Sequence, residues 1–143
     1  MLSNSSKYAI KAVLFLVLNS KDNKKTKVKD ISEPINVPQA YIAKLLQELS
    51  KKNIISSSRG PKGGFYLSEA DMHNSLMDII NIIDGDKRFQ SCELSLEKCN
   101  LEKPCPLHEL VYPIKTKLIN ALQDKTIKEF SMLIKQGKVF LPF

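Results

Sequence analysis

Apolar positions fall into separate periodic runs along the chain, and each run predicts an element. Residues 5–19 are hydrophobic nearly all round and follow the capping candidates Ser3, Asn4, Ser5 and Ser6, which predicts a central helix. A connector at 21–29 holding five lysines comes next. A short helix is expected at 27–33, with Val28 and Ile31 facing inward and Pro34 and the turn Ile35-Asn36-Val37 ending it. Pro38 suits the first position of the following helix, where a missing N–H costs nothing. That helix should run to about residue 52, with Ile42, Leu45, Leu46 and Leu49 on one face. Asn53 stops it. Residues 54–58 and 65–67 read as strands joined by the turn Arg59-Gly60-Pro61-Lys62-Gly63-Gly64. Helix, short helix, turn, helix and β-hairpin is the order of a winged helix-turn-helix, here over residues 1–68.

The pattern then changes. Leu76, Ile79, Ile80 and Ile83 make the stripe of another helix, ended by Gly85. Residues 86–106 show no helical period. Leu107, Val111, Ile114, Leu118 and Ala121 or Leu122 recur as a narrow coiled-coil-like seam, predicting a long helix over 107–124. Pro113 falls inside it and is expected to kink it or delay its start. Thr126-Ile127-Lys128-Glu129 reads as a capping box opening a last helix to about residue 136. The expected fold class is mostly α with a small β-hairpin.

Composition narrows the possibilities. With 143 residues, 43% hydrophobic and 26% charged, the chain can bury a core, and it is not a disordered chain, a collagen or a membrane protein. The apolar run 12–18 is far shorter than the roughly 20 residues of a membrane span and lacks a small-residue cleavage site, so a cytoplasmic protein is expected. Net charge is +7, which favours an anionic partner. It is unevenly held: residues 1–68 carry twelve Lys or Arg against four Asp or Glu, and residues 69–143 carry ten against eleven. All three cysteines lie in the second part. An anion-binding module joined to a cysteine-bearing one follows.

In a winged helix-turn-helix the N-terminal end of the recognition helix meets the DNA major groove. The residues there are Pro38, Gln39, Ala40, Tyr41 and Lys44. Gln39 and Lys44 suit base edges or phosphates, and Tyr41 suits a phosphate unless it packs at the helix edge. Arg59 and Lys62 sit on a glycine-rich wing tip, where a cation suits a narrow A·T minor groove. Any one of these lysines could equally belong to a solvated face; their clustering favours DNA.

The cysteines read Cys92-x6-Cys99-x5-Cys105, with His108 two residues further on. Three thiolates and an imidazole in an aperiodic loop form a plausible metal-ligand set, for zinc or an iron–sulfur cluster. No cysteine pair has the two-to-four-residue gap usual in structural zinc sites, which favours a cluster. Glu93, Glu97, Glu102 and Glu109 are alternative oxygen ligands. The cysteines could instead be a thiol redox switch, or simply small buried apolar residues. Catalysis by Cys105 with His108 lacks an oxyanion motif and an orienting third group, so an enzyme is not expected.

These features together resemble a known family. Ser6-Lys7-Tyr8-Ala9-Ile10-Lys11-Ala12, Asp30-Ile31-Ser32, Tyr41-Ile42, the wing Arg59-Gly60-Pro61-Lys62-Gly63-Gly64-Phe65-Tyr66-Leu67, the cysteine loop and Thr126-Ile127 are similar to the Rrf-two family of bacterial winged-helix transcription regulators. The resemblance implies a homodimer formed through the long helix and a palindromic double-stranded DNA operator. It implies a cluster held by Cys92, Cys99 and Cys105, with His108 as the fourth ligand of a two-iron centre; a cluster-controlled repressor or activator responding to redox state or nitric oxide is then expected, repressor being favoured. Residues 1–68 would then bind DNA, 69–106 would form a linking helix and sensor loop, and 107–143 a dimerisation helix and C-terminal helix. The first cysteine gap is one residue longer than in the family's cluster-binding members.

Overall fold

The computed structural model describes residues 2–94 and 101–141. Helix α1 (Asn4–Asn19) starts one residue earlier than expected, because the Ser3 hydroxyl accepts the Ser6 N–H and caps it. Its buried Ala9, Ala12, Val13 and Leu16 make it the axis of the fold. Around it pack α2 (Val28–Ile35), α3 (Gln39–Lys51), α4 (Leu76–Asp84) and α6 (Ile127–Lys135).

Pro34 does not end α2; the helix runs through it to Ile35. The proline is exposed and lies in the last turn, so the hydrogen bond it forfeits is one that water replaces at Asp30. Asn36 then turns left-handed (φ 54°) and donates its N–H to the last carbonyls. Pro38 caps α3 rather than beginning it: its carbonyl accepts the N–H groups of Tyr41 and Ile42, each at 3.1 Å. Ile42, Leu45, Leu46 and Leu49 are buried as the spacing predicts.

Strands β1 (Ser56–Ser58) and β2 (Gly64–Tyr66) pair antiparallel with Ser57 opposite Phe65. β1 is shorter than expected and β2 keeps its length but starts one residue earlier, since Ile54, Ile55 and Leu67 are buried in the core beyond the paired segment. The wing gains a third edge that the hydrophobic pattern did not announce. Thr26 and Phe65 exchange both backbone hydrogen bonds, at 2.8 and 2.9 Å. Gly64 permits this approach, because a Cβ there would stand 2.6 Å from the Thr26 carbonyl oxygen.

Ser75 and Asp78 form a capping box on α4, and Gly85 (φ 84°) ends it. Helix α5 (His108–Asp124) begins one residue later than expected and passes through Pro113 as one element. That proline lies in its first two turns and is exposed, where the loss of one bond is cheapest. The expected single seam on α5 divides. Leu118, Ile119 and Leu122 pack toward Met77, Ile80 and Phe89, while Leu110 and Ile114 are each 66% exposed. Thr126 and Glu129 form the expected capping box on α6 and deliver Ile127, fully buried, into the core around α1. Among the described residues, no helix is long and apolar enough to cross a membrane.

Candidate functional site

Two groups of candidate residues occupy different parts of the fold. The first is the basic surface of α3 and the wing. The four-residue buried stripe of α3 leaves Gln39, Ala40 and Lys44 on its outer side, with Pro38 exposed before them. Tyr41 is half-buried: its hydroxyl pairs with that of Ser5, and its ring meets Tyr8 edge-on at 6.0 Å. This tyrosine therefore fixes α3 against α1. Arg59 and Lys62 are both exposed on the wing tip. The tip is closed by Gly63 N–H donating to the Gly60 carbonyl at 2.9 Å.

The antiparallel Thr26–Phe65 bridge adds residues that sequence reasoning did not single out. Because β2 runs away from the tip, the chain at Thr26 runs toward it. Lys27 and Lys29, both exposed, thus leave the bridge at the same end as Arg59 and Lys62. The charge run was visible in sequence; the pairing that aims it was not.

The second group surrounds a cavity of about 410 Å³ between the cysteine-bearing loop and α5. Cys92 is buried and Cys105 half-buried, with their sulfurs 3.9 Å apart. His108 opens α5, donates its N–H to the Cys105 carbonyl at 2.9 Å and stacks its ring on Tyr112 at 4.9 Å. Leu101, Leu107, Val111 and Ile119 supply apolar walls. The structure thus brings Cys92, Cys105 and His108 to one cavity. Cys99 and Glu97 lie outside the described residues. Among the described residues, no three His, Cys, Asp or Glu side chains already stand as a metal-binding group.

Two thiolates bound to one tetrahedral metal, each about 2.3 Å from it, stand roughly 3.8 Å apart. A disulfide needs about 2.05 Å. The observed 3.9 Å is a contact between two free thiols, too long for a disulfide and compatible with the spacing of co-ligands.

Lys115 is the missed residue of this site. Its side chain is 14% exposed, and its ammonium lies 2.7 Å from a Glu93 carboxylate oxygen and donates to the Ser91 carbonyl at 2.7 Å. The hydrogen bond from Lys115, and then its charge, hold the Glu93 carboxyl below the ordinary glutamate range. Helix α5 is thereby tied to the segment beside Cys92. A second missed cluster lies between α1 and α4. The Ser3 and Ser6 hydroxyls both donate to Asp84, whose side chain is 7% exposed, with Arg88 3.9 Å away.

Comparison with known proteins matches residues 2–132 to a family described as Rrf2, iron-dependent transcriptional regulator. An HTH-type transcriptional regulator of Aquifex aeolicus is 30% identical over 129 residues, covering 89% of this chain and 88% of that protein. The HTH-type transcriptional regulator IscR of Klebsiella pneumoniae is 27% identical, covering 90% and 77%. Among solved structures, CymR, the global cysteine regulator of B. subtilis, has a similar fold, with a TM-score of 0.74 at 22% identity over 92% of this chain and 96% of that one.

Proposed function

The chain belongs to the Rrf2 family of transcriptional regulators, and from that premise we propose that it is a homodimeric repressor whose hold on a palindromic operator is set by an iron–sulfur cluster. It is a DNA-binding regulator and not an enzyme, as are the relatives that cover most of its length.

The observation that carries the proposal is the pair of sulfurs 3.9 Å apart in a cavity that also holds His108. Cys92, Cys99, Cys105 and His108 would hold the group, and this three-thiolate, one-imidazole set favours a two-iron cluster over a four-iron one. When bound, such a cluster supplies a redox-active centre whose charge and ligation change with oxidation or loss. The chain's own residues supply the coupling. Cys92 follows the end of α4, while Cys105 lies just ahead of α5 and His108 begins it. Drawing these ligands together or releasing them alters the angle at which α5 leaves the winged half, and the two states must differ in cluster affinity for this to act as a switch.

The DNA-facing roles are assigned to the exposed basic surface. Gln39 and Lys44 would meet base edges or phosphates in the major groove, with Pro38 and Ala40 allowing close approach. Tyr41 acts at the helix edge. Arg59 and Lys62 enter the adjacent minor groove. Two copies joined through the exposed Leu110 and Ile114 face of α5 would present two such surfaces to a palindrome in the cytoplasm.

A thiol redox switch is the second reading, favoured by the same pair of sulfurs, which need to approach by only about 2 Å to form a disulfide. Zinc in place of the cluster is a third occupant of the same ligands. Anaerobic purification with visible absorption, iron, sulfide and zinc assays separates the three. Visible absorption with two irons and two sulfides per chain is expected. Colourless, iron-free protein after anaerobic reconstitution would sink the cluster reading, and a reversible Cys92–Cys105 disulfide by mass spectrometry would put the switch in its place.

A further inference from the structure

A second cavity, about 540 Å³, shares no residue with the cysteine pocket and lies at the foot of the wing. It is bounded by residues 20–23, just ahead of the Thr26 bridge, and by residues 67–69, just after β2. These are the ends of β2 and of the Thr26 segment remote from Arg59 and Lys62. The third side is α6. Three structural units therefore converge on one opening: the wing, the central helix α1 and the helix that follows α5.

The lining has an unequal chemistry. Val17, Leu18, Leu67, Met72 and Ile134 make apolar walls. Ser20 also lines it; its hydroxyl, enclosed beneath the cavity wall, has no hydrogen-bond partner among the described residues. An unsatisfied buried hydroxyl is a cost that a ligand can remove. At the mouth stand Lys21 and Lys135, with Asp22 and Glu69. Glu69 is engaged from outside the cavity by Lys128 at 3.0 Å, so the cations prevail at the opening. The size is that of a small-molecule site, which typically measures about 300–1,000 Å³.

We propose that this cavity is an effector site for a small amphipathic carboxylate. Its apolar tail would lie among Val17, Leu67 and Ile134, and its carboxylate would meet Lys21 and Lys135, with the Ser20 hydroxyl donating to it after a small rotation. A ligand held there grips the end of β2, the segment leading to the Thr26 bridge and α6 at once. It can shift the wing only by binding one wing placement better than another. The site would give the regulator a second input, separate from the cysteines.

The test titrates octanoate into the full-length chain, followed by ¹H–¹⁵N correlation spectra, with octan-1-ol and octylamine as controls. Saturable shifts confined to residues 20–23, 67–72 and α6 are expected. Lys21→Gln with Lys135→Gln should weaken octanoate about tenfold and leave octan-1-ol unchanged. Ile134→Trp, which fills the cavity, should abolish both. In parallel, saturating octanoate should change affinity for an operator fragment by about threefold or more. Scattered shifts, shifts centred on the Cys92–Cys105 cavity, equal binding of octanoate and octan-1-ol, or no saturation with any carboxylate from hexanoate to decanoate would overturn the site. Binding without any change in operator affinity would overturn its role as an effector site. The spectra do not depend on the cluster, so failure here and failure of the cluster reading remain separate.

Discussion

Helix α3 and helix α5 are both amphipathic, yet they meet the molecule in opposite ways. The apolar face of α3 is closed off by its own chain, with Ile42, Leu46 and Leu49 at 0% exposure. None of the described residues of α5 is buried, and Leu110 and Ile114 remain 66% exposed. The winged half closes its core with the help of α4 and α6 and carries its candidate DNA-facing groups outside. The α5 half holds its reactive groups in a cavity and leaves an apolar face uncovered. Such a face is where the proposed dimer would meet.

The comparison can be broken at several points, the largest effect first. Leu46→Ala removes side-chain volume from a closed core and should cost about 3 kcal/mol in urea unfolding. A loss below about 1 kcal/mol would show that the winged half is as loosely packed as α5. Leu110→Glu with Ile114→Glu should leave the helical signal intact and raise the dimer dissociation constant about a hundredfold in sedimentation velocity, since few interface residues carry most of the energy. An unchanged dimer would place the interface elsewhere. Gly64→Ala drives a methyl group into the Thr26 backbone and should cost about 1–3 kcal/mol, with faster amide exchange at Phe65 as the local readout. Full stability would mean that the third edge of the wing yields readily.

The smallest effect concerns the join between the two regions. Thr126→Ala removes the cap of α6 and should cost about 1 kcal/mol in thermal unfolding. The Thr126 backbone N–H, and then Lys125, hold the Glu129 carboxyl below its ordinary range. A depressed folded value means that this contribution is present above the unfolded glutamate value and fades as pH falls through the folded one. Amide exchange in α6 should therefore accelerate on acidification in the native chain and much less in Glu129→Gln.

Elements whose signals are local were legible. The capping box Thr126–Glu129, the α3 stripe, the wing turn and the Gly85 stop each follow from short-range periodicity or backbone preference, and each is found within a residue or two. What was not legible depends on distant partners. The Thr26–Phe65 bridge joins residues with no shared pattern. Asp84 meets Ser3 and Ser6 from the end of α4, beyond the winged region. In sequence Pro34 reads as a break and Pro113 as a kink or a delayed start; both lie inside helices where an exposed surface lets water reach the freed carbonyl. Of the candidate metal site, spacing named the residues, and the fold alone brings Cys92, Cys105 and His108 to one cavity.

Ile127 has a consequence for how the protein is made. It is fully buried in the core cluster that also holds the α1 and α3 stripes, although it lies 59 residues beyond position 68, the end of the winged segment. A nascent chain cannot seal its DNA-binding core until this isoleucine has left the ribosome, by which time the cysteine loop and α5 have already emerged. A product that stops within the cysteine loop should therefore be degraded rather than persist as an unregulated DNA binder. Pulse–chase decay of a fragment ending at residue 106, compared with the whole chain, would reveal that difference directly.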